Sequence, residues 1–318
     1  MKNKKIETVG ILGTGTIGSS WAAFFASKGL SVKMYDSDRS IHEGAVQKSI
    51  DNLQALAEYG FLEKSMLNQA IGNISSVGDF GQMVEGSDFI QESVYEDYSI
   101  KKKMFQKLDS LAASHTILAS SSSGLLMSEI QSVTKRPERC LVAHPFNPPH
   151  LIPLVELVPG RKTDVQVMRE AYCFFEDLGK IPVMLNKEAP GHVANRLALA
   201  LWREAVEIVI RGIASVEDVD KAIYAGPGIR WALMGPHLIY HLGGGEGGYR
   251  YLMDHIGKTF DVVWKDLADW TEIPEETKDM LVQGVKKSMG NKTLAEVARW
   301  RDRKIVELIK TIYGAPEK

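Results

Sequence analysis

The stretch Glu7-Thr8-Val9-Gly10-Ile11-Leu12-Gly13-Thr14-Gly15-Thr16-Ile17-Gly18 decides the fold of this chain. Its first half is an apolar run with the character of a buried strand, and the residues that follow, 19–28, are helix-prone. A glycine-rich loop between a strand and a helix has a specific use. The first glycine allows a tight turn, the second lets a pyrophosphate approach the backbone, and the third lets the helix pack closely on the strand. Phosphate charge then meets the positive end of the helix dipole. Gly13, Gly15 and Gly18, with Thr16 and Ile17 at the helix start, are therefore the candidate dinucleotide contacts.

A bare glycine motif is weak evidence, but the next element strengthens it. Residues 29–36 form a second strand-like run that ends in Asp36, eighteen positions after Gly18. A carboxylate there would accept hydrogen bonds from an adenosine ribose diol and repel a ribose 2′-phosphate, which favours NAD over NADP. Arg39, close by, is the group that would argue for NADP.

Further along, apolar strand-like runs at 88–94, 116–119 and 181–185 alternate with helical stretches up to about residue 186. That alternation is the pattern of a doubly wound, parallel α/β sheet. A long helix-prone segment at 41–69 leaves room for a helical pair over the cofactor crevice. Beyond the turn at 186–191 helical periodicity dominates to Tyr313, so an all-α second domain is expected, with residues 1–187 and 188–318 as the two domains. The apolar stretch 193–210 suits a domain core or a dimer interface.

Composition agrees. A chain of 318 residues with 44% hydrophobic content can fill more than one core. A formal charge of −2 supplies no general attraction to nucleic acid or anionic membrane. No run of about 20 apolar residues could span a bilayer. The basic start at residues 1–5 leads straight into the first strand and glycine loop, where a secretory signal would need its apolar segment. Two cysteines make no disulfide framework, which suits a cytoplasmic protein.

The run Leu141-Val142-Ala143-His144-Pro145-Phe146-Asn147-Pro148-Pro149 and the following Leu154-Val155-Glu156 carry the chemistry. An apolar strand stops at a histidine, passes a proline-braced turn, and resumes as a strand with one carboxylate. A carboxylate bonded to one imidazole nitrogen fixes the tautomer and raises the basicity of the other, so His144 is the candidate base and Glu156 its orienter. Taken alone, the segment is equally compatible with a buried histidine satisfied by a neighbouring acid.

Taken together these motifs resemble the 3-hydroxyacyl-CoA dehydrogenase family over essentially the whole chain. The glycine loop with Asp36, the segment Gln91-Glu92-Ser93-Val94-Tyr95-Glu96-Asp97 followed by Lys101, the serine loop Ser120-Ser121-Ser122-Ser123-Gly124-Leu125, the His144/Glu156 pair and Asn195 each match a family motif. The resemblance implies an NAD-dependent oxidation in which His144 takes a hydroxyl proton while hydride leaves the same carbon. It implies that Ser123 and Asn195 hydrogen-bond the reacting oxygen, and that Glu96 and Lys101 serve the cofactor. Without it, Ser123 reads as a helix N-cap and Asn195 as a helix surface residue. It also implies a homodimer formed through the helices after residue 190. A non-catalytic, NAD-binding structural protein is the alternative of a different class, and it would predict a damaged constellation.

The substrate is a separate question. Acyl-CoA members carry a serine and then a lysine on the helix after the second strand. This chain has Ser49 but Leu56 about where the lysine belongs, which weakens a CoA thioester. In Ala225-Gly226-Pro227-Gly228-Ile229-Arg230-Trp231, one arginine in a glycine-rich turn suits a two-pronged grip on a free carboxylate. The resemblance extends to the branch acting on small free 3-hydroxy acids, carnitine and gulonate among them. Carnitine is preferred, with Phe146 and Trp231 among the aromatic faces available to a trimethylammonium group. His237 and His241 stand four apart but lack a third ligand, so no metal is expected.

Overall fold

The computed structural model describes residues 5–275 and 277–314. Residues 1–4 of the basic start lie outside them, as does the side chain of Arg39. Two compact units divide the chain between Arg196 and Leu197.

The first unit is an eight-stranded sheet of order β3-β2-β1-β4-β5-β6-β7-β8. Its elements are β1 (Thr8–Leu12), α1 (Thr16–Ser27), β2 (Ser31–Tyr35), α2 (Arg39–Glu58), α3 (Leu67–Gly72), β3 (Ile74–Ser76) and α4 (Phe80–Val84). They continue with β4 (Phe89–Glu92), α5 (Tyr98–Leu111), β5 (Ile117–Ser120), α6 (Met127–Ile130), β6 (Cys140–Pro145), β7 (Leu154–Pro159), α7 (Val165–Asp177) and β8 (Ile181–Met184). Strands β1, β4 and β5 are buried along almost their whole length, as strands covered on both faces must be. One face packs an aromatic cluster in which Trp21 stacks on Phe25 at 5.2 Å and Phe89 meets Phe174 at 5.0 Å. The other face buries Met83, Ile90, Phe105, Leu108 and Leu118.

The helix-prone stretch at 41–69 forms α2 and α3, with α2 packed along α1. All neighbouring strands are parallel except β6 and β7, which pair antiparallel. The reason is length. The connection 146–153 is too short for the crossover of a dozen or more residues that parallel pairing needs. The antiparallel register sets His144 directly opposite Glu156.

The second unit is helical. Helix α8 (Ala194–Ile210) runs into it from the first, followed by α9 (Val216–Ala225), α10 (Pro227–Leu233), α11 (Pro236–Gly243), α12 (Gly248–Trp264), α13 (Thr277–Met289) and α14 (Leu294–Tyr313). Helix α14 starts with a reciprocal capping box between Thr293 and Glu296, which satisfies two otherwise unpaired amides. No described helix is long and apolar enough to cross a membrane.

Candidate active site

The carboxyl ends of β1, β4, β5 and β6 bring together the glycine loop, Ser93–Glu96, the serine loop and His144. Open α/β sheets place ligands at this edge. His144 and Glu156 face each other across β6 and β7, 5% and 1% exposed, and Nδ1 of the histidine lies 2.9 Å from Oε2 of the acid. The other oxygen, Oε1, accepts from the backbone N–H groups of Val193 and Ala194 at 2.9 Å each. Burial pushes the Glu156 carboxyl up, but the bonds from His144, Ala194 and Val193 outweigh it and hold the group below its usual range. An ionised acid accepts only, so it takes the Nδ1 proton and leaves Nε2 as the basic nitrogen of the neutral ring. Nε2 has no hydrogen-bond partner among the described residues.

Ser123 is not a helix cap. Helix α6 begins at Met127 with Leu126 at its N-cap, and the serine loop is held by an acid. Oε1 of Glu96 accepts from Ser122 Oγ at 2.7 Å, from Ser123 N at 2.9 Å and from Gly124 N at 3.1 Å. Burial raises the Glu96 carboxyl, but those bonds and the Lys101 charge bring it below its ordinary value. Asn195 is half-buried, and its amide donates to the Ser123 carbonyl at 3.1 Å. Lys101 is 1% exposed. Its ammonium has three acceptors within the protein, Glu92 Oε1 at 2.7 Å, Val94 O at 3.2 Å and Glu96 Oε2 at 3.4 Å. It therefore stands in the wall as a fixed charge with its protons already placed.

A cavity of about 490 Å³ lies here, lined by Ile17, Glu96, Ser123, His144, Phe146 and Asn195 among others. The Phe146 and His144 rings meet edge to face, their centroids 5.5 Å apart. Asn147, three positions after His144, also lines it, as do Ser93 and Ser121; all three lie inside the motifs read from the sequence, which gave none of them a role of its own. His192 escaped the sequence reading. Its ring is 5.2 Å from that of His144, and its Nε2 lies 3.0 Å from the Ser122 carbonyl. It adopts a φ of +53°, a left-handed conformation that costs a non-glycine residue roughly 1–2 kcal/mol. The Pro190-Gly191 pair just before it was the available signal that the chain turns sharply there.

The substrate candidates outside this wall look different. Arg230 and Trp231 are not in a glycine-rich turn. Pro227 starts a short helix, α10, in which both are exposed, because proline is well suited to a first helical turn. Arg230 makes no ion pair with a described carboxylate of its own unit. On α2, Ser49 is buried and its hydroxyl is spent on the Ala45 carbonyl at 2.9 Å, while Leu56 is 3% exposed.

The residues present fit a dinucleotide. A side chain at Gly13 would come within 2.7 Å of the Ser93 backbone, and one at Gly18 within 1.9 Å of the Gly13 carbonyl. At Gly15 a Cβ would meet nothing within 4 Å, which is the open approach a pyrophosphate needs. Helix α1 begins there with no side-chain cap, so its first amides stay available. Asp36 directly follows β2 beside this loop, with Oδ2 accepting from Thr14 N at 2.7 Å.

Residues 8–189 match the 3-hydroxyacyl-CoA dehydrogenase NAD-binding domain and residues 191–284 its C-terminal domain. The chain belongs to the 3-hydroxyacyl-CoA dehydrogenase family and is an NAD-dependent oxidoreductase. Among curated proteins it is 35% identical to an L-carnitine dehydrogenase of Oceanobacillus iheyensis, over 96% of this chain and 98% of that protein. It is 37% identical to an L-carnitine dehydrogenase of Pseudomonas aeruginosa, over 97% and 94%. Among solved structures it resembles 5-formyl-3-hydroxy-2-methylpyridine 4-carboxylic acid 5-dehydrogenase, an NAD+ dependent dismutase. The TM-score is 0.83 at 28% identity, covering 98% of this chain and 99% of the other. It also resembles the (S)-3-hydroxybutyryl-CoA dehydrogenase of Ralstonia eutropha, with TM-score 0.68 at 26% identity, covering 88% and 95%.

Proposed function

We propose that the protein oxidises the 3-hydroxyl of a small free 3-hydroxy acid, with L-carnitine as the preferred substrate and 3-dehydrocarnitine as product. One observation carries the reading: the cavity that His144, Ser123 and Asn195 line is also lined by Ile17 of the glycine loop. Base and cofactor side thus share one space. When bound, NAD supplies the hydride acceptor. His144 Nε2 takes the hydroxyl proton, and the ionised Glu156 stabilises the imidazolium that results. Ser123 Oγ and the Asn195 amide hold the substrate oxygen against the base. Glu96 and Lys101 shape the wall on the cofactor side, and Asp36 takes the adenosine ribose. Because oxidation releases a proton, alkaline pH favours oxidation and acidic pH reduction.

Substrate choice rests on three supports. The curated relatives bear the carnitine name, the Ser49 hydroxyl is spent within its helix and Leu56 offers no polar group to a CoA tail, and Arg230 is an exposed guanidinium that pairs with no described carboxylate of its unit. Phe146, beside the base in the first unit, and, on the chemistry of their side chains alone, Arg230 and Trp231 are the substrate contacts proposed. The test follows NADH absorbance with NAD and L-carnitine, L-gulonate or L-3-hydroxybutyryl-CoA in parallel, with His144→Ala as the blank. Turnover of carnitine alone is the expected result, and turnover of the CoA ester alone would overturn the assignment.

The second unit is proposed to pair with a second copy of the chain, since Leu197, Leu199, Leu233, Leu242, Trp264 and Trp300 all remain exposed. Light scattering should give twice the chain mass, and a concentration-independent monomer would refute the pairing. The two unpaired cysteines, Cys140 and Cys173, suit the reducing cytoplasm.

A further inference from the structure

Gln91 is fully buried, and its Nε2 lies 2.7 Å from Ser121 Oγ and 3.1 Å from the Ala143 carbonyl. A carbonyl only accepts, so the atom facing it is the amide nitrogen, and both its protons are placed. Trp21 Nε1, which only donates, lies 3.3 Å from the same Ser121 oxygen. Two donors occupy both lone pairs of Ser121. Its single proton is left for Ser93 Oγ, 2.8 Å away. Ser93 Oγ therefore accepts, and its own proton has no acceptor among the described residues. The arrangement carries a cost, because the Gln91 carbonyl oxygen is buried without a partner.

Ser93 and Ser121 both line the cavity that ends at His144. The Ser93 backbone is also the surface that a side chain at Gly13 would strike. Ser93 thus stands on the glycine-loop side, where the cofactor enters. We propose that Ser93 is a fixed hydrogen-bond donor for an acceptor oxygen on the nicotinamide–ribose half of NAD, with its proton aimed by Trp21, Gln91 and Ser121. A hydroxyl whose direction is set beforehand loses little freedom when the ligand arrives. The inference rests on the reading that this cavity receives the nicotinamide end.

Calorimetric titration of NAD and, separately, of ADP tests it on the full chain and on Ser93→Ala, Ser93→Thr and Ser123→Trp. ADP lacks the nicotinamide half and reports whether each variant still folds and binds at the glycine loop. Ser93→Ala should weaken NAD about fivefold, the usual effect of one lost hydrogen bond, and leave ADP unchanged. Ser93→Thr, which keeps the hydroxyl, should restore NAD affinity. Unchanged NAD binding in Ser93→Ala, or equal loss of NAD and ADP, would overturn the proposal. Ser123→Trp fills the cavity and separates the two readings. If it weakens NAD while Ser93→Ala does not, the donor fails and the cavity assignment stands. If it leaves NAD unaffected, both fall.

Discussion

The two units of the chain treat their apolar residues in opposite ways. In the first, Val9, Ile11, Phe25, Phe89 and Phe175 are fully shielded, and the polar groups beneath them, Glu92, Lys101 and Glu156, have named partners. Among the described residues of the second, buried hydrophobic side chains are few: Val206, Val209, Val219, Leu252, Ala268 and Val306. A sheet covered on both faces closes its own core, whereas amphipathic helices need something to lie against. The difference teaches where function resides. His144, Glu156, Ser123 and Asn195, the residues proposed for the proton chemistry, all belong to the self-contained unit, which would hold that chemistry rigidly. Arg230 and Trp231, proposed for substrate selection, belong to the unit with exposed apolar faces, where the proposed selectivity and pairing could vary without disturbing the proposed base.

The largest expected effect falls on the first unit. His144→Ala should lower kcat by about 10²–10⁴-fold, the usual worth of a positioned general base. Glu156→Gln should do nearly as much harm, for a geometric reason. The new amide must keep its oxygen towards the Val193 and Ala194 N–H donors, so its NH₂ faces Nδ1 of His144 and forces the proton onto Nε2. The wrong tautomer cannot act as base, and the loss should again be about 10²–10⁴-fold. Steady-state kinetics with NAD titration checks this: kcat collapses while NAD affinity holds. A Glu156→Gln enzyme of near-normal kcat would remove the dyad from the mechanism.

Arg230→Leu probes the other side of the comparison. A charge-assisted, two-pronged contact to a carboxylate is worth more than an ordinary hydrogen bond, so KM for the free acid should rise roughly 30- to 100-fold. The kcat at saturation and the affinity for NAD should stay near wild type. A fall in kcat with KM unchanged would show that Arg230 acts on the chemistry and not on the selection of substrate.

The same asymmetry governs what the sequence disclosed. The glycine loop, Asp36 and the His144–Glu156 spacing were legible because each follows from local rules: a turn that only glycine makes, an acid ending a strand, and two strands joined by a short turn. The antiparallel reversal at β6 and β7 follows from the eight-residue connection 146–153, although strand alternation alone suggests a parallel sheet throughout. What stayed hidden depends on contacts distant in sequence. Ser20 meets His150 across 130 positions, Trp21 meets Ser121 across 100, and His192 meets Ser122 across 70. The turn expected around Arg230 is a helix instead, because Pro227 and Gly228 punctuate loops as readily as they begin a helix.

The smallest effect concerns Lys180, whose role no sequence pattern announces. It is wholly enclosed, with Nζ donating to the carbonyls of Pro149 and Ile152 and lying over the Phe24 ring at 4.2 Å. These bonds hold the turn that carries Phe146 and Asn147. Burial, aided by the charge of Lys28, brings its ammonium down from 10.5 to about 7. Between those values the unfolded chain binds more protons than the folded one, so this group makes stability rise with pH over that window. The neighbouring His150, pushed by burial to about 4, titrates well below it. Thermal melts from pH 7 to 10 should therefore show a Tm that climbs by about 5–10 °C relative to a Lys180→Met variant. If the difference between the two proteins does not change with pH, the buried ammonium is not the titrating group, and the turn is held by Ser20 and His150 alone.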